Sequence, residues 1–169
     1  MPGKTIVSIA VFLVLAGACL SDVLGQESAA RPRQVSSSPF AESENQIFRV
    51  VNQERGRHHF AGLSWNDELA AVARAYSERM ARDGFFDHYD PEGRTAIDRA
   101  EKVRGWRFIG ENLFVTESVP GLASFALRGW LGSETHRTNL LDPQWTSTGV
   151  GVAEDGNGDI YITQLFTRK

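Results

Sequence analysis

The stretches that decide the fold are three short motifs in a fixed order along the chain. They are Phe85-Phe86-Asp87-His88 (the FFDH motif), Gly110-Glu111-Asn112-Leu113 (the GENL motif) and Trp130-Leu131-Gly132-Ser133-Glu134-Thr135-His136-Arg137 (the WLGSETHR motif). Each sets an imidazole or a carboxylate among aromatic, glycine or amide neighbours. Two imidazoles and one carboxylate, once brought together, can bind a metal ion or transfer a proton. No local motif spans the distances between them, so the tertiary fold must assemble this site.

Around these motifs, hydrophobic periodicity predicts four helices. In the second helix, Asn66 is the predicted N-cap and Gly84 the stop, and its apolar stripe is interpreted as core. That stripe consists of Leu69, Val72, Ala73, Tyr76 and Met80. The predicted helices run from about Glu42 to Arg55, from Asn66 to Gly84, from Thr95 to Val103 and from Ser118 to Gly132.

The remaining segments predict strands. Leu63–Trp65 is a short extended piece and Arg107–Val115 a strand that contains the GENL motif. Residues 148–153 and 160–166 alternate as a hairpin around a polar tip. Helices early and antiparallel strands late predict an α+β domain with helices packed on the sheet.

The first residues predict export from the cytoplasm. Lys4 precedes an apolar run, Ile6–Ala18, which has the length of a signal peptide and is short for a membrane span. Val23-Leu24-Gly25 before Gln26 suits ordinary signal cleavage, whereas Leu15–Cys19 is similar to a lipoprotein box shifted by one residue. Free secretion is favoured, and lipidation of Cys19 stays the alternative, in which case the lipid is the protein's only link to a membrane.

Length and charge limit the other possibilities. We predict a signal peptide over residues 1–25, a disordered linker over 26–41 and one domain over 42–169. Cys19 is the only cysteine, so the domain holds no internal disulfide. The net charge is −3 and no basic run is present, which argues against nucleic acid as a partner.

The histidine and the glutamate of the first two motifs each have two interpretations. His88 is either a metal ligand kept neutral by its aromatic neighbours or a surface or capping histidine. Glu111 lies in an apolar stretch, where a carboxylate needs paired partners or a polar cleft. The alternative for Glu111 is a strand residue that faces solvent, and the functional interpretation is favoured because Gly110 and Asn112 suit an irregular backbone.

The third motif is also open to two interpretations. If the fourth helix continues through it, Ser133 and His136 share a face and point into one cleft, while Glu134 points elsewhere. Otherwise His136 is a residue at the C-terminal end of a helix, where it interacts with the helix dipole. Arg137 is predicted to anchor a carboxylate or loop carbonyls.

Two further polar patterns are not interpreted as sites. Asp155-Gly156-Asn157-Gly158-Asp159 imitates the start of a calcium loop, but Ile160 replaces the required glycine and Phe166 the closing glutamate, so a tight hairpin is predicted. His58-His59 is interpreted as a solvated pair at a helix end. HExxH, GxSxG, Walker and CxxC motifs are absent from the sequence.

Taken together, the three motifs, followed by Asn139-Leu140-Leu141-Asp142-Pro143 and Thr148-Gly149-Val150-Gly151-Val152-Ala153, resemble the CAP superfamily. This is the family of cysteine-rich secretory, antigen-five and pathogenesis-related proteins, also called the SCP domain. The resemblance is to its disulfide-free bacterial branch and covers residues 42–166. It implies an α-β-α sandwich with a central antiparallel sheet and a large open cleft.

The resemblance also implies which residues face the cleft. In the family two histidines and two glutamates do so, and some members bind zinc or another divalent ion through the histidines. His88 and His136 match the histidines and Glu111 matches one glutamate. Ser133 stands where the second glutamate is expected, with Glu134 one residue later, so a mechanism that needs two carboxylates is in doubt.

Three functional hypotheses follow. The first is an extracellular binding module for a lipid, glycan or protein, with a cleft that can hold a divalent cation at His88 and His136. The second is a metal-dependent hydrolase of peptidase type, in which Glu111 is the general base. The third uses Ser133 as a nucleophile, and the missing nucleophile elbow makes it the weakest.

Overall fold

The computed structural model describes residues 38–169. Its helices and strands are α1 (Ala41–Arg57), β1 (Ser64–Trp65), α2 (Asp67–Asp83), α3 (Ala96–Arg99), β2 (Phe108–Glu117), α4 (Leu122–Gly132), α5 (Glu134–Leu141), β3 (Ser147–Glu154) and β4 (Asp159–Arg168). The predicted signal peptide and most of the predicted linker lie outside the described residues. Within residues 38–169 no helix combines the length and the hydropathy that crossing a membrane requires.

The four strands form one sheet in the order β1-β3-β4-β2. Strands β3 and β4 form the predicted hairpin, and β2 pairs antiparallel with the other side of β4. The two-residue β1 adds a parallel edge to β3. Helix α2 packs on one face of the sheet, and α1 and α4 pack on the other. The predicted α+β class and α-β-α sandwich are therefore confirmed.

Alternation along β3 explains why both faces can be covered closely. Val150 and Val152 are buried in the core on the α1 and α4 side. The intervening glycines face α2, where a Cβ on Gly149 would lie 2.2 Å from the Ala70 nitrogen and one on Gly151 would lie 2.1 Å from the Arg74 nitrogen. The alternating glycines thus let the backbone of α2 lie directly on the sheet.

Helix α2 follows the predictions at both ends. The side chain of Asn66 accepts hydrogen bonds from the backbone nitrogens of Glu68 and Leu69. Gly84 ends the helix in a left-handed conformation with φ of 70°. Four residues of the predicted stripe are fully buried and Val72 is half-buried, which confirms its role as core.

Two predicted helices are shorter than expected. The third was expected to reach Val103 but ends at Arg99, because the Ala100 carbonyl accepts from the Val103 nitrogen and from Trp106 Nε1 instead of continuing the helical pattern. The fourth was expected to begin at Ser118 but begins at Leu122. The left-handed conformation of Gly121, with φ of 70°, interrupts any helix before it.

Candidate functional site

The fold brings the three motifs to one region of the molecule. His88 lies in the loop that follows α2, Glu111 lies within β2, and the WLGSETHR motif spans the end of α4 and the start of α5. His136 is therefore on α5, which packs against β2. Three different elements thus supply the three polar groups, as their sequence separation required.

Glu111 is a buried carboxylate with partners on both oxygens. Its residue is 7 % exposed. Its Oε1 lies 2.8 Å from Nδ1 of His88, and its Oε2 lies 2.5 Å from Nη2 of Arg99. The prediction that a carboxylate here needs paired partners is confirmed, and the solvent-facing alternative is wrong. His88 is itself largely covered, with a side chain 12 % exposed.

Arg99 is the site residue that sequence reasoning missed. Besides Glu111, its Nη1 donates to the backbone carbonyls of His88 and Arg94 at 3.1 and 3.0 Å. Its guanidinium carbon lies 3.4 Å from the centroid of the Tyr76 ring. Arg99 therefore fixes both the carboxylate and the loop that carries His88. No pattern in the sequence distinguishes it from the other arginines near it.

Tyr76 supports the same loop from the other side. It belongs to the apolar stripe of α2, and its hydroxyl donates to the Asp87 carbonyl at 2.6 Å. Burial raises the pKa of Tyr76, so the phenol stays a hydrogen-bond donor throughout the physiological range. A residue predicted as core thus also positions the backbone next to His88.

His136 is held in a neutral state. It is 2 % exposed, and burial, followed by the charge on a protonated His88, lowers its pKa to about 4. The influence of His88 means that the two imidazoles are within electrostatic range of each other. The alternative of a C-terminal helix residue that interacts with the helix dipole is wrong, because His136 is the third residue of α5.

A buried amide network holds α5 against β2. Asn112 Nδ2 donates to the His136 carbonyl at 3.1 Å, and Asn139 Nδ2 donates to the Glu111 carbonyl at 3.2 Å. Trp145 Nε1 donates to the Asn139 carbonyl at 2.9 Å. A Cβ at Gly110 would lie 2.6 Å from Asn139 Oδ1, so the glycine of the GENL motif makes room for this network.

The third motif differs from its prediction. The fourth helix does not continue through it, because Ser133 is extended (φ −102°, ψ 123°) and separates α4 from α5. The premise that Ser133 and His136 share the face of one continuous helix is therefore wrong. Glu134 is exposed in the first turn of α5. Arg137 Nη1 donates to the Leu131 carbonyl at 3.1 Å, so it anchors a carbonyl as predicted, although this carbonyl belongs to helix α4 and not to a loop.

A cavity lies beside this constellation. Its polar end is formed by His88 and Glu111, and its other wall is apolar, with Ala96, Ile97 and Ile109. The empty volume is about 440 Å³ including the opening. Tyr89, which is 46 % exposed, also lines it. The lining of the cavity is therefore polar on one side and apolar on the other.

The donor set for a metal ion is limited. Within residues 38–169 no three His, Cys, Asp or Glu side chains are grouped closely enough to hold a metal ion. His88 and His136 remain as a pair of imidazole donors, while both oxygens of Glu111 are engaged by His88 and Arg99.

The two patterns set aside in the sequence are explained by local structure. Asp155 Oδ1 accepts from the backbone nitrogens of Asn157 and Asp159, which builds the predicted hairpin tip. His58 caps the end of α1, where it contacts Glu54 and stacks on Phe60. Both predictions are confirmed.

Comparison with known proteins identifies relatives of the whole domain. The sequence model of the cysteine-rich secretory protein family, called CAP, matches residues 48–166. Two Bacillus subtilis proteins are similar. YlbC, described as an uncharacterized membrane protein, is 34% identical over 82% of this chain and 39% of its own length. YkwD is 29% identical over 84% of this chain and 54% of its own length. The chain thus spans about half or less of these relatives.

A solved structure agrees with this result. The crystal structure of an extracellular protein containing an SCP domain, from Bacillus anthracis, has a TM-score of 0.68 and 34% identity. The match covers 83% of this chain and 45% of that one. An outer surface protein from Borrelia burgdorferi has the same TM-score at 16% identity, over 78% of this chain and 96% of its own, which indicates a shared fold.

Proposed function

The chain belongs to the cysteine-rich secretory protein (CAP) family, and on that basis we propose that it is an extracytoplasmic binding module whose cleft holds a divalent cation between His88 and His136. The observation that carries the proposal is the hydrogen bond of 2.8 Å between His88 Nδ1 and Glu111 Oε1. The exported location is supported by the predicted signal peptide and by the extracellular relative from Bacillus anthracis.

The contact with Glu111 gives His88 the features of a metal ligand. A carboxylate beside Nδ1 favours the tautomer that carries its proton there, and this leaves the lone pair on Nε2 for a metal ion. Histidine ligands in metal sites commonly have such a carboxylate behind the ring. Arg99 balances the charge of the buried Glu111 carboxylate.

His136 meets the other requirement, since it is neutral at physiological pH. A metal ion competes with protons for imidazole nitrogens, so a pKa of about 4 removes that competition above about pH 5. Imidazole pairs suit zinc, copper, nickel or iron better than calcium or magnesium. We therefore name zinc or a similar divalent cation as the ion to test.

Two histidines form an incomplete ligand set, and this favours binding over catalysis. Catalytic zinc sites usually have three protein ligands and one water. Here the remaining positions would be filled by solvent or by a polar group of a bound molecule. The apolar wall of Ala96, Ile97 and Ile109 would then contact the rest of that molecule. Lipids, glycans and protein segments can all supply such a group.

The geometry gives less support to hydrolysis. A general base needs a carboxylate oxygen within reach of water, and Glu111 is 7 % exposed with its oxygens bonded to His88 and Arg99. The neutral state of His136 is compatible with a base, but the sequence has no nucleophile elbow that would pair it with Ser133. Metal-dependent hydrolysis is therefore the alternative outcome of the test below.

The test is calorimetric titration with zinc chloride of the wild-type chain and of three single variants. His88→Ala and His136→Ala should each abolish the zinc heat. His58→Ala is the matched control, because His58 is exposed at the end of α1, and it should bind like the wild type. Circular dichroism checks that each variant is folded. The absence of a zinc heat in the wild type, or equal heats in all four proteins, would overturn the proposal.

The same proteins distinguish binding from catalysis. Each is incubated with zinc and with panels of peptide and ester substrates. We expect no turnover in any of them. Zinc-dependent turnover that disappears in a folded Glu111→Gln variant would replace the binding proposal with the hydrolase.

A further inference from the structure

A second cavity opens at the end of the sheet and shares no lining residue with the His88 cleft. It is lined by residues at the ends of all four strands and of the loop before β3, and its empty volume is about 1230 Å³ including open solvent. Its lining residues include Phe108, Gln144, Arg168, Lys169 and the serines at positions 64 and 147. The proposed function makes no use of them.

Arg168 is the central group of this cavity. It lies directly opposite Phe108 in the antiparallel ladder of β2 and β4. Its guanidinium carbon is 4.0 Å from the centroid of the Phe108 ring and 5.9 Å from that of Trp145. Trp145 is buried and stacks on Phe166. The arginine thus rests on a rigid aromatic floor, which restricts its conformations before any ligand binds.

Arg168 also lacks a counter-ion among the described residues. The other half-buried arginines have carboxylate partners: Arg74 pairs with Glu44, Arg79 with Asp90 and Arg99 with Glu111. None of the described carboxylates lies within salt-bridge distance of Arg168, and its Nε is buried with no hydrogen-bond acceptor. A buried donor without an acceptor is costly, and a planar guanidinium fork with no partner matches an oxyanion.

The two charged side chains that line the cavity, Arg168 and Lys169, are both basic. The lining includes no acidic side chain. Because the whole chain carries a net charge of −3, this positive end is a local feature and not a consequence of overall composition.

From these observations we propose that the cavity is an anion-binding site, in which Arg168 receives a phosphate or carboxylate group. The guanidinium offers two parallel N–H donors to such a group. The amide of Gln144 and the hydroxyls of the two serines offer further donors along the wall. Thr146 does not contribute its hydroxyl, because that group donates to the Thr167 carbonyl at 3.2 Å. The cavity is open to solvent, so a molecule larger than an isolated ion can carry the anionic group.

The experiment titrates the folded chain with inorganic phosphate and, separately, with succinate, and follows tryptophan fluorescence because Trp145 lies beside Arg168. We expect saturable binding of at least one probe, weakened by about tenfold or more in Arg168→Gln, since charge-assisted hydrogen bonds are lost. Arg168→Lys keeps the charge without the fork and should fall between the two. Binding by phosphate alone assigns the site to phosphate groups, and binding by succinate alone assigns it to carboxylates.

Arg128→Gln is the matched control. Arg128 lies over the ring of Phe125 at 5.7 Å, in helix α4, none of whose residues lines this cavity, and its variant should bind like the wild type. His88→Ala should also bind like the wild type, so failure here is distinguishable from failure of the proposed function. No saturable response to either probe, or equal affinities of a folded Arg168→Gln and the wild type, would overturn the anion site.

Discussion

Nδ1 of His88 lies 2.8 Å from Oε1 of Glu111, although 23 residues separate them in the sequence. The contact is made where little water reaches, since the two side chains are 12 % and 5 % exposed. Arg99 occupies the other oxygen of the same carboxylate. One buried anion therefore connects the loop after α2, helix α3 and strand β2, and the stability of the cleft depends on it.

We expect Arg99→Gln to destabilise the domain by about 3 kcal/mol, because it leaves the buried carboxylate of Glu111 without its permanent cation. The measurement is urea unfolding at pH 7. The matched control is Arg49→Gln, which removes an ion pair with Glu42 whose side chains are 55% and 71% exposed, and it should cost less than about 1 kcal/mol. Equal losses in the two variants would contradict a structural role for the Arg99 contact.

Gly151→Ala should prevent correct packing of α2 on the sheet. The new Cβ would lie 2.1 Å from the Arg74 nitrogen and 2.2 Å from the Ala73 carbonyl carbon, and neither backbone atom can move alone. We expect a loss of about 3 kcal/mol or more, or failure to fold. Gly56→Ala is the control: nothing lies within 4 Å in helix α1, so stability should rise by about 0.5–1 kcal/mol. A neutral Gly151→Ala would show that the helix can withdraw from the sheet.

Much of the fold could be predicted because local rules and tertiary packing agree. Helix α2 begins after Asn66 and ends at Gly84, as the capping preferences of these residues predict. The polar hairpin tip at Asp155 forms as its turn residues indicate. The predictions failed at the ends of helices, where the conformation of a single residue decides whether the helix continues. The extended Ser133 that separates α4 from α5 is an example, since nothing in its own sequence forbids a continuous helix.

Only part of the candidate site could be predicted from the sequence. A carboxylate in an apolar stretch must have partners, so Glu111 could be identified from sequence and His88 proposed as its neighbour. Arg99 could not, because many arginines lie on surfaces and only the tertiary structure shows which one is drawn inside. The same holds for Arg168. Only the tertiary structure shows the aromatic rings beside it, and that no described carboxylate lies within salt-bridge distance.

Asn139→Ala should separate α5 from β2. The side chain donates to the Glu111 carbonyl and to Asn112 Oδ1, and both acceptors are buried. Leaving them without a donor should cost about 2–3 kcal/mol in thermal or urea unfolding. Asn157→Ala, at the exposed hairpin tip, removes a surface amide and should cost under about 1 kcal/mol. A smaller loss for Asn139→Ala than for Asn157→Ala would contradict the role of the network.

The N-terminal segment leads to a prediction about the mature chain. We expect expression in a bacterial host to yield exported protein that begins at Gln26, because Val23 and Gly25 suit signal peptidase cleavage. Intact mass spectrometry of the secreted fraction measures this start. Cys19→Ser should leave export and start unchanged. If that variant instead moves from the membrane fraction to the medium, the lipoprotein alternative is correct.

His136 makes stability depend on pH. Burial first, and the charge of a protonated His88 second, lower the pKa of His136 from 6.5 to about 4 in the folded state. Between these values the unfolded chain binds more protons at this position than the folded one, so the free energy of unfolding falls as pH decreases from 6.5 to 4. The total loss from this group is about 3 kcal/mol, and below about pH 4 it adds no further loss.

The measurement is urea unfolding of the metal-free protein at intervals between about pH 7 and pH 4, for the wild type and for His136→Asn. Carboxylates also titrate near the lower limit, so the informative quantity is the difference between the two proteins at each pH. That difference should shrink as pH falls, because the variant lacks the buried base whose protonation favours the unfolded chain. A constant difference across the range would mean that His136 can be protonated inside the fold. The imidazole would then bind a proton below about pH 6.5, and a cation would have to compete with that proton there.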